Sequence, residues 1–459
     1  MAHTYDAIVI GTGQAGPSLA AELSAAGMRT AVIERHLFGG TCVNVGCIPT
    51  KALVASARAA HVARRAADFG VVIGGEVAVD MARVKARKDA IVRRSATGVE
   101  RWMRSLANCT VYRGHGRFDG DHRVRVGDEV LEAQRIFINV GARAFVPPLP
   151  GVAEVDYLTN STIMELDTLP EHLVIVGGGY IGLEFAQMFR RFGSEVTLID
   201  RGDRLIGRES PDVSTAVADI LEGEGVRLRL GAECMAFERR GAAVAATLEC
   251  RDDEPEVAGS HLLLAVGRRP NTDDLGLETT GIGVNARGHI QVDDALHTGV
   301  PGVWALGECN GRGAFTHTAY HDYEIVAGNL LHGDPRRVTD RIDCYALYID
   351  PPLGRVGMTE AQVRASGRPA LVATRPMTRV GRAVEKSETQ GFMKVLVDAE
   401  TERILGAAIL GVGGDEVIHS ILDVMYADAP YTVIRRAVHI HPTVAELIPT
   451  MLADLQPLE

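Results

Sequence analysis

Two stretches of this chain repeat one arrangement of elements, and that repetition limits the folds open to it. Each has a short apolar strand, a turn with glycine at its first, third and sixth positions, an apolar helix, a second strand, and an acid 23 positions after the first glycine. The first copy runs from Ala7 to Ile10, through Gly11-Thr-Gly-Gln-Ala-Gly16, to a strand from Thr30 to Ile33 that ends in Glu34. The second runs from Leu173 to Val176, through Gly177-Gly-Gly-Tyr-Ile-Gly182, to a strand from Val196 to Ile199 that ends in Asp200. In such a unit the first glycine allows the tight turn and the second lets backbone approach a pyrophosphate. The third lets helix pack on strand, and the acid binds a ribose hydroxyl. Amides and the positive end of the helix dipole face the phosphates. One such turn alone is weak evidence; two in full strand-turn-helix-strand context point to two bound dinucleotides.

A further parallel supports the duplication. The apolar run Ile136 to Val140 leads into Gly141-Ala-Arg143, and Leu262 to Val266 leads into Gly267-Arg-Arg269. Each reads as a buried strand that closes a nucleotide domain. Pro147-Pro-Leu-Pro150 reads as a linker, and Val303 to Leu306, followed by Gly307-Glu308, as a strand returning to the first domain. The expected fold class is α/β, with two Rossmann-like domains, the second inserted in the first, and a C-terminal α+β interface domain. The boundaries expected are 1–149 and 271–338 for the first domain, 150–270 for the second, and 339–459 for the third. In that last part the strands are placed at Gly391 to Val397 and Ile404 to Leu410, and the helices near Asp415 to Tyr426 and Tyr431 to Ala437.

A formal net charge of -11 over 459 residues argues against a nucleic-acid or anionic-membrane binder. The basic run Arg83 to Arg94 reads as a solvated helix face. The N-terminus enters a strand within five residues and no apolar run approaches the roughly 20 residues of a bilayer span, so a cytoplasmic location is expected.

Seven cysteines form no dense framework. Cys109, Cys234, Cys250, Cys309 and Cys344 are scattered and read as small buried apolar residues. Cys42 and Cys47, in Gly39-Gly-Thr-Cys-Val-Asn-Val-Gly-Cys-Ile-Pro-Thr-Lys51, are different. Residues five apart on a regular helix have Cα atoms roughly 8.5 Å apart, whereas a disulfide wants about 4.4 to 6.8 Å. A helix carrying the pair must be distorted, and Gly46 and Pro49 permit that. A bridge closed in this way is readily reduced, so the pair reads as a two-electron redox switch.

With these motifs stand Gly267-Arg-Arg-Pro-Asn271, Pro301-Gly-Val-Trp-Ala-Leu-Gly-Glu308, Asp350-Pro-Pro-Leu-Gly-Arg-Val-Gly-Met-Thr-Glu360 and His439-Ile-His-Pro-Thr-Val-Ala-Glu446. Over nearly its whole length the chain resembles the flavin-dependent pyridine nucleotide-disulfide oxidoreductases, the group of glutathione reductase, dihydrolipoamide dehydrogenase and mercuric reductase. The redox motif is most similar to mercuric-reductase-like flavoproteins.

The resemblance implies FAD along Gly11, Gly13, Gly16 and Glu34, with Gly40, Thr41, Gly141, Gly307 and Glu308 around it. It implies NADH or NADPH along Gly177, Gly179 and Gly182, with Asp200, Arg201 and Gly267 beside it and Tyr180 covering the nicotinamide position. Asp200 and Gly182 favour NADH, while Arg201, Arg204 and Arg208 suit a 2′-phosphate; the reading leans to NADH. Lys51 is implied beside the flavin, paired with Glu184. Cys47 is implied as the thiol against the flavin and Cys42 as the one exposed to substrate, both with lowered pKa. The chain is implied to form a homodimer in which His441, oriented by Glu446, faces the cysteine pair of the other subunit and moves the proton. His439 is read as an ordinary loop histidine. Glu308 departs from the family's usual aspartate.

The acceptor expected is a small disulfide or similar thiol-reactive molecule. Reduction of Hg(II) or copper is the first alternative, since a dithiolate is a soft ligand, although Ile448 to Glu459 lacks the cysteine pair that delivers mercury. Dihydrolipoamide dehydrogenase and a non-enzymatic flavin redox sensor are the others. No resident metal site and no nucleic-acid or membrane partner is expected.

Overall fold

The apolar runs before both glycine-rich turns are strands buried on both faces, as helices on either side of a parallel sheet require. The computed structural model describes residues 2–241, 243–249 and 255–458. In it His3–Ile10 pairs in parallel with Thr30–Glu34 on one side and Glu129–Ile138 on the other. Cys109–Arg113 extends the sheet beyond Thr30–Glu34. Val303–Ala305 pairs in parallel with the end of Glu129–Ile138, so a segment late in the chain completes the sheet begun at its start. Gly116–Phe118 and Arg123–Val126 add an antiparallel meander that the sequence reading does not anticipate.

The second sheet is parallel, in the order Arg227–Arg229, Glu195–Ile199, His172–Val176, His261–Leu264. Three antiparallel strands, Glu233–Arg240, Ala243–Glu249 and Glu256–Gly259, lie between its last two members in sequence. Where the chain leaves the first sheet and returns from the second, Ala142–Ala144 and Arg268–Pro270 form a two-stranded antiparallel ribbon. A third, six-stranded antiparallel sheet contains Phe392–Asp398 and Ile404–Leu410, close to the strands expected there. Its covering helices are Gly414–Val417, His419–Tyr426 and Thr432–Arg436. Among the described residues no helix is long and apolar enough to cross a membrane.

Two expectations need correction. The run Arg83 to Arg94 lies on the helix Met81–Ser105, but its face is not wholly solvated. Lys88 is buried, with its ammonium 2.5 Å from Asp89 and 3.4 Å from Glu165, because the helix leans on the segment that leads into the second domain. Of the scattered cysteines, Cys309 is buried whereas Cys109 and Cys344 are only half-buried. Cys250 and the side chain of Cys234 lie outside the described residues.

One apolar core joins the three parts. Leu53 and Ala57 of the helix Cys47–Arg64 pack with Leu183 and Phe185 of Tyr180–Phe192, and the same cluster continues into Leu347, Ile349 and Leu353 beside the third sheet. At its edge the buried Arg191 guanidinium pairs with Glu224 and Asp350, both at 2.6 Å. Asp350 also receives Arg58 at 2.5 Å. Removing Arg191 takes the cation from Glu224 while Asp350 keeps Arg58, and breaking a buried pair in this way costs about 3–5 kcal/mol. Arg191→Ala is therefore expected to lower the urea midpoint of the earliest unfolding transition by that much stability. A shift no larger than that of Arg227→Ala, whose pair with Glu195 is exposed, would contradict the account.

Candidate functional site

The redox motif folds as two helices with a break between its cysteines. Gly40–Asn44 is a short helix carrying Cys42, and Cys47 starts the long helix Cys47–Arg64. Between them Val45 (φ -141°) and Gly46 (φ -136°, ψ -121°) leave the helical region, which is the distortion expected from the spacing. A Cβ at Gly46 would lie 2.8 Å from the Thr41 carbonyl oxygen, so the break needs glycine there. Pro49 sits buried in the first turn of the long helix, where its missing N–H costs little. Asn160, from the lead-in to the second domain, donates to the Val45 carbonyl at 3.0 Å and fixes the break.

Cys42 and Cys47 are free thiols within hydrogen-bond reach of each other. The hydrogen bond from Cys42 brings the Cys47 pKa down to about 6, with help from Thr316 and the Lys51 charge. The same bond, together with burial, pushes Cys42 up. The expectation that both thiols are acidic is thus corrected: two sulfurs so close share one proton, and the second negative charge is opposed by the first. Thr316, first residue of the helix Thr316–Ala327, has its hydroxyl oxygen 3.1 Å from the Cys47 sulfur. Sequence reasoning missed it, because a threonine 269 positions away carries no local signal.

Both cysteines open on a cavity of about 2680 Å³ that also receives both glycine-rich turns. Gly11, Gly13, Glu34, Gly40, Thr41, Lys51, Gly141, Gly307 and Glu308 line it, as do Gly177, Gly179, Tyr180, Glu184, Asp200, Arg201 and Gly267. Gly16 and Gly182 do not. A Cβ on either would fall 2.2 Å or 1.9 Å from the carbonyl oxygen of the first glycine of its own turn, so these two serve the tight helix crossing. Both acids are held alike. Glu34 accepts from the Thr12 N–H at 3.0 Å and the His36 N–H at 2.8 Å. Asp200 accepts from the Gly178 N–H at 2.5 Å and the Gly202 N–H at 2.6 Å. An added Cβ at Gly179 would meet no protein atom within 4 Å, leaving that backbone open to the cavity. Two glycine-rich turns on one cavity, with an acid beside each, suit two dinucleotides.

Lys51, one turn after Cys47, pairs with the buried Glu184 at 2.6 Å. Tyr348, which the sequence reading did not single out, holds both members: its N–H donates to Glu184 at 3.1 Å and its ring lies 4.4 Å from the Lys51 ammonium. Glu308 pairs with Arg268 at 2.7 Å, so the longer side chain finds a cation across the domain ribbon.

His441 and Glu446 are joined at 3.0 Å but line no part of this cavity. The His441 side chain is 81 % exposed, and Val438 and Ile440 beside it are bare. Within one chain the structure does not bring this pair to the dithiol. His439 is half-buried and bonds its own loop, at the Ala437 carbonyl.

Residues 5–322 match the pyridine nucleotide-disulphide oxidoreductase family, and residues 344–452 match its dimerisation domain. The chain is 38% identical over 452 residues to the probable pyridine nucleotide-disulfide oxidoreductase RclA of Escherichia coli, covering 97% of this chain and 98% of that one. It is 35% identical to a mercuric reductase of Streptomyces lividans, covering 97% and 95%. A solved Cu(II) complex of the HOCl-induced flavoprotein disulfide reductase RclA from Escherichia coli superposes with a TM-score of 0.89 at 36% identity, covering 98% and 99%. Two nucleotide turns, a broken-helix dithiol and these likenesses over nearly the full length establish that the chain is a member of the pyridine nucleotide-disulfide oxidoreductase family.

Proposed function

We propose that this protein is an FAD-dependent, NAD(P)H-driven reductase of small disulfides working through Cys42 and Cys47. The observation that carries the reading is the cysteine pair on either side of a broken helix, at the cavity lined by both turns. On this reading residues 1–149 and 271–338 hold FAD, 150–270 hold the nicotinamide nucleotide, and 339–459 pair with a second copy of the chain. When bound, FAD supplies the two-electron relay between nicotinamide and sulfur. Gly11, Gly13 and Gly40 give it backbone at close quarters, Glu34 takes its ribose, and Lys51 stabilises negative charge on its reduced ring. Asp200 supports NADH through ribose binding and repulsion of a 2′-phosphate; Arg201 and Arg208 on the same cavity are the counterweight.

In the dithiol state Cys42 keeps the shared proton. To attack a disulfide it must give that proton up, and His441 of the partner subunit, held by Glu446, is the base that takes it. The Cys42 sulfur then bonds to one substrate sulfur, and the other leaves as a thiolate that receives the proton back from the imidazolium. The Cys47 thiolate next attacks Cys42, releasing the second substrate thiolate, which takes a proton from water, and closing the Cys42–Cys47 disulfide. The bare apolar surface around His441 supports pairing of two chains there. A cytoplasmic setting suits a switch that is reduced again after each turnover.

Metal-ion reduction is the second reading. It is favoured by the likeness to the copper complex and by the softness of paired thiolates.

Two outcomes are expected. Iodoacetamide labelling of Cys47 in the reduced enzyme should rise with pH about a midpoint near 6, because its thiolate persists above that value and is lost below it. In Cys42→Ala, which lacks the donor, the midpoint should move up; a midpoint near the ordinary thiol value in the parent enzyme would contradict the shared proton. His441→Ala should lower turnover of small disulfides by about 10²–10⁴-fold, far more than it slows NAD(P)H oxidation by dioxygen. Equal slowing of the two reactions, or equal loss with Cu(II) as acceptor, would remove the proton-transfer role.

A further inference from the structure

Four aromatic rings follow one another along the cavity wall. Tyr180, at the start of the helix Tyr180–Phe192, has its ring centroid 5.6 Å from Phe315 and 5.4 Å from Tyr345, tilted 57° to both. Phe315 and Tyr345 are stacked on each other at 5.6 Å and 10°. Phe315 stacks in turn on His317 at 5.4 Å and 9°, and His317 Nε2 is 2.7 Å from the Cys344 carbonyl oxygen. The rings come from separate parts of the chain. Tyr345 is in the edge strand Cys344–Leu347 of the third sheet, and Phe315 immediately precedes Thr316, which touches Cys47.

Tyr180 therefore reaches from the second glycine-rich turn across the cavity to the wall that carries the dithiol. A ring bridging that gap fills the space a nicotinamide has to enter. We propose that Phe315 and Tyr345 form the dock for the Tyr180 ring, and that they set nicotinamide nucleotide affinity by stabilising its closed position. The inference rests on the reading of Tyr180 as the nicotinamide cover and adds what holds that cover down. Two tilted aromatic contacts hold the ring, and each must be given up or replaced when the nucleotide enters. Phe315 and Tyr345 are positioning residues, acting through Tyr180.

The test is a double-mutant cycle read by calorimetric binding of NAD⁺ and of NADP⁺ to the FAD-loaded, oxidised enzyme. Tyr345→Leu, which keeps apolar bulk but removes the ring, is expected to tighten binding by about 2- to 12-fold. Phe315→Leu should act in the same direction. Tyr345→Phe should behave as the parent, and the effect of Tyr345→Leu should vanish when Tyr180 is already Ala. The same tightening with and without Tyr180, no tightening, or weaker binding would each overturn the dock. Counting the thiols that NAD(P)H frees for alkylation separates the two readings. A parent enzyme that exposes no additional pair of thiols loses the proposed function, whereas thiol release without coupling in the cycle loses only the dock.

Discussion

The packing of the helix Cys47–Arg64 against Tyr180–Phe192 is the constraint on which the rest of the site depends. Cys47 and Lys51 sit on successive turns of one helix, and Tyr180 and Glu184 on successive turns of the other. Once Leu53 and Ala57 are buried against Leu183 and Phe185, the ammonium and carboxylate meet at 2.6 Å without further adjustment. Burial of Glu184 makes that meeting necessary, since an unpaired buried carboxylate is costly. The third sheet reinforces the seam from outside: Tyr348 braces the ion pair, and Asp350 ties Arg58 to Arg191. The helix that starts at the dithiol and the helix that follows the second glycine-rich turn are thus parts of one packed unit.

Electrostatics then divides labour between two chemically identical side chains. The broken helix sets Cys42 and Cys47 close enough to share a proton, and the Lys51 charge makes Cys47 the better place for the negative charge, whereas the Thr316 hydroxyl favours a thiolate at either sulfur. Cys42 is left as the protonated partner and needs an outside base. His441 and Glu446 form a ready imidazole–carboxylate pair on a separate, exposed face. On the proposed function this exposed pair, beside bare Val438 and Ile440, supplies that base to the Cys42 of a second chain.

Features set by neighbours in sequence were legible in advance. The two turns, their acids and the helix break at Gly46 follow from glycine placement, strand patterning and the reach of a disulfide. Contacts made by residues far along the chain were not. Thr316, Phe315, Tyr345 and Tyr348 belong to no local motif, and only the return of the chain through Val303–Ala305 and into the third sheet places them at the cavity. The opposite shifts of the two thiols were misread because charge rules for a single cysteine ignore the second. Lys88 was misread for a related reason, since helical periodicity shows a basic face but not the carboxylates that another segment brings to it.

On the proposed function, Cys47 would hold a thiolate beside the bound flavin once nicotinamide has delivered two electrons. Anaerobic addition of NADH or NADPH to the FAD-loaded enzyme tests it most directly. A new long-wavelength thiolate-to-flavin absorption should develop, survive in Cys42→Ser and disappear in Cys47→Ser. A flavin that bleaches outright with no such absorption in the parent enzyme would contradict the claim.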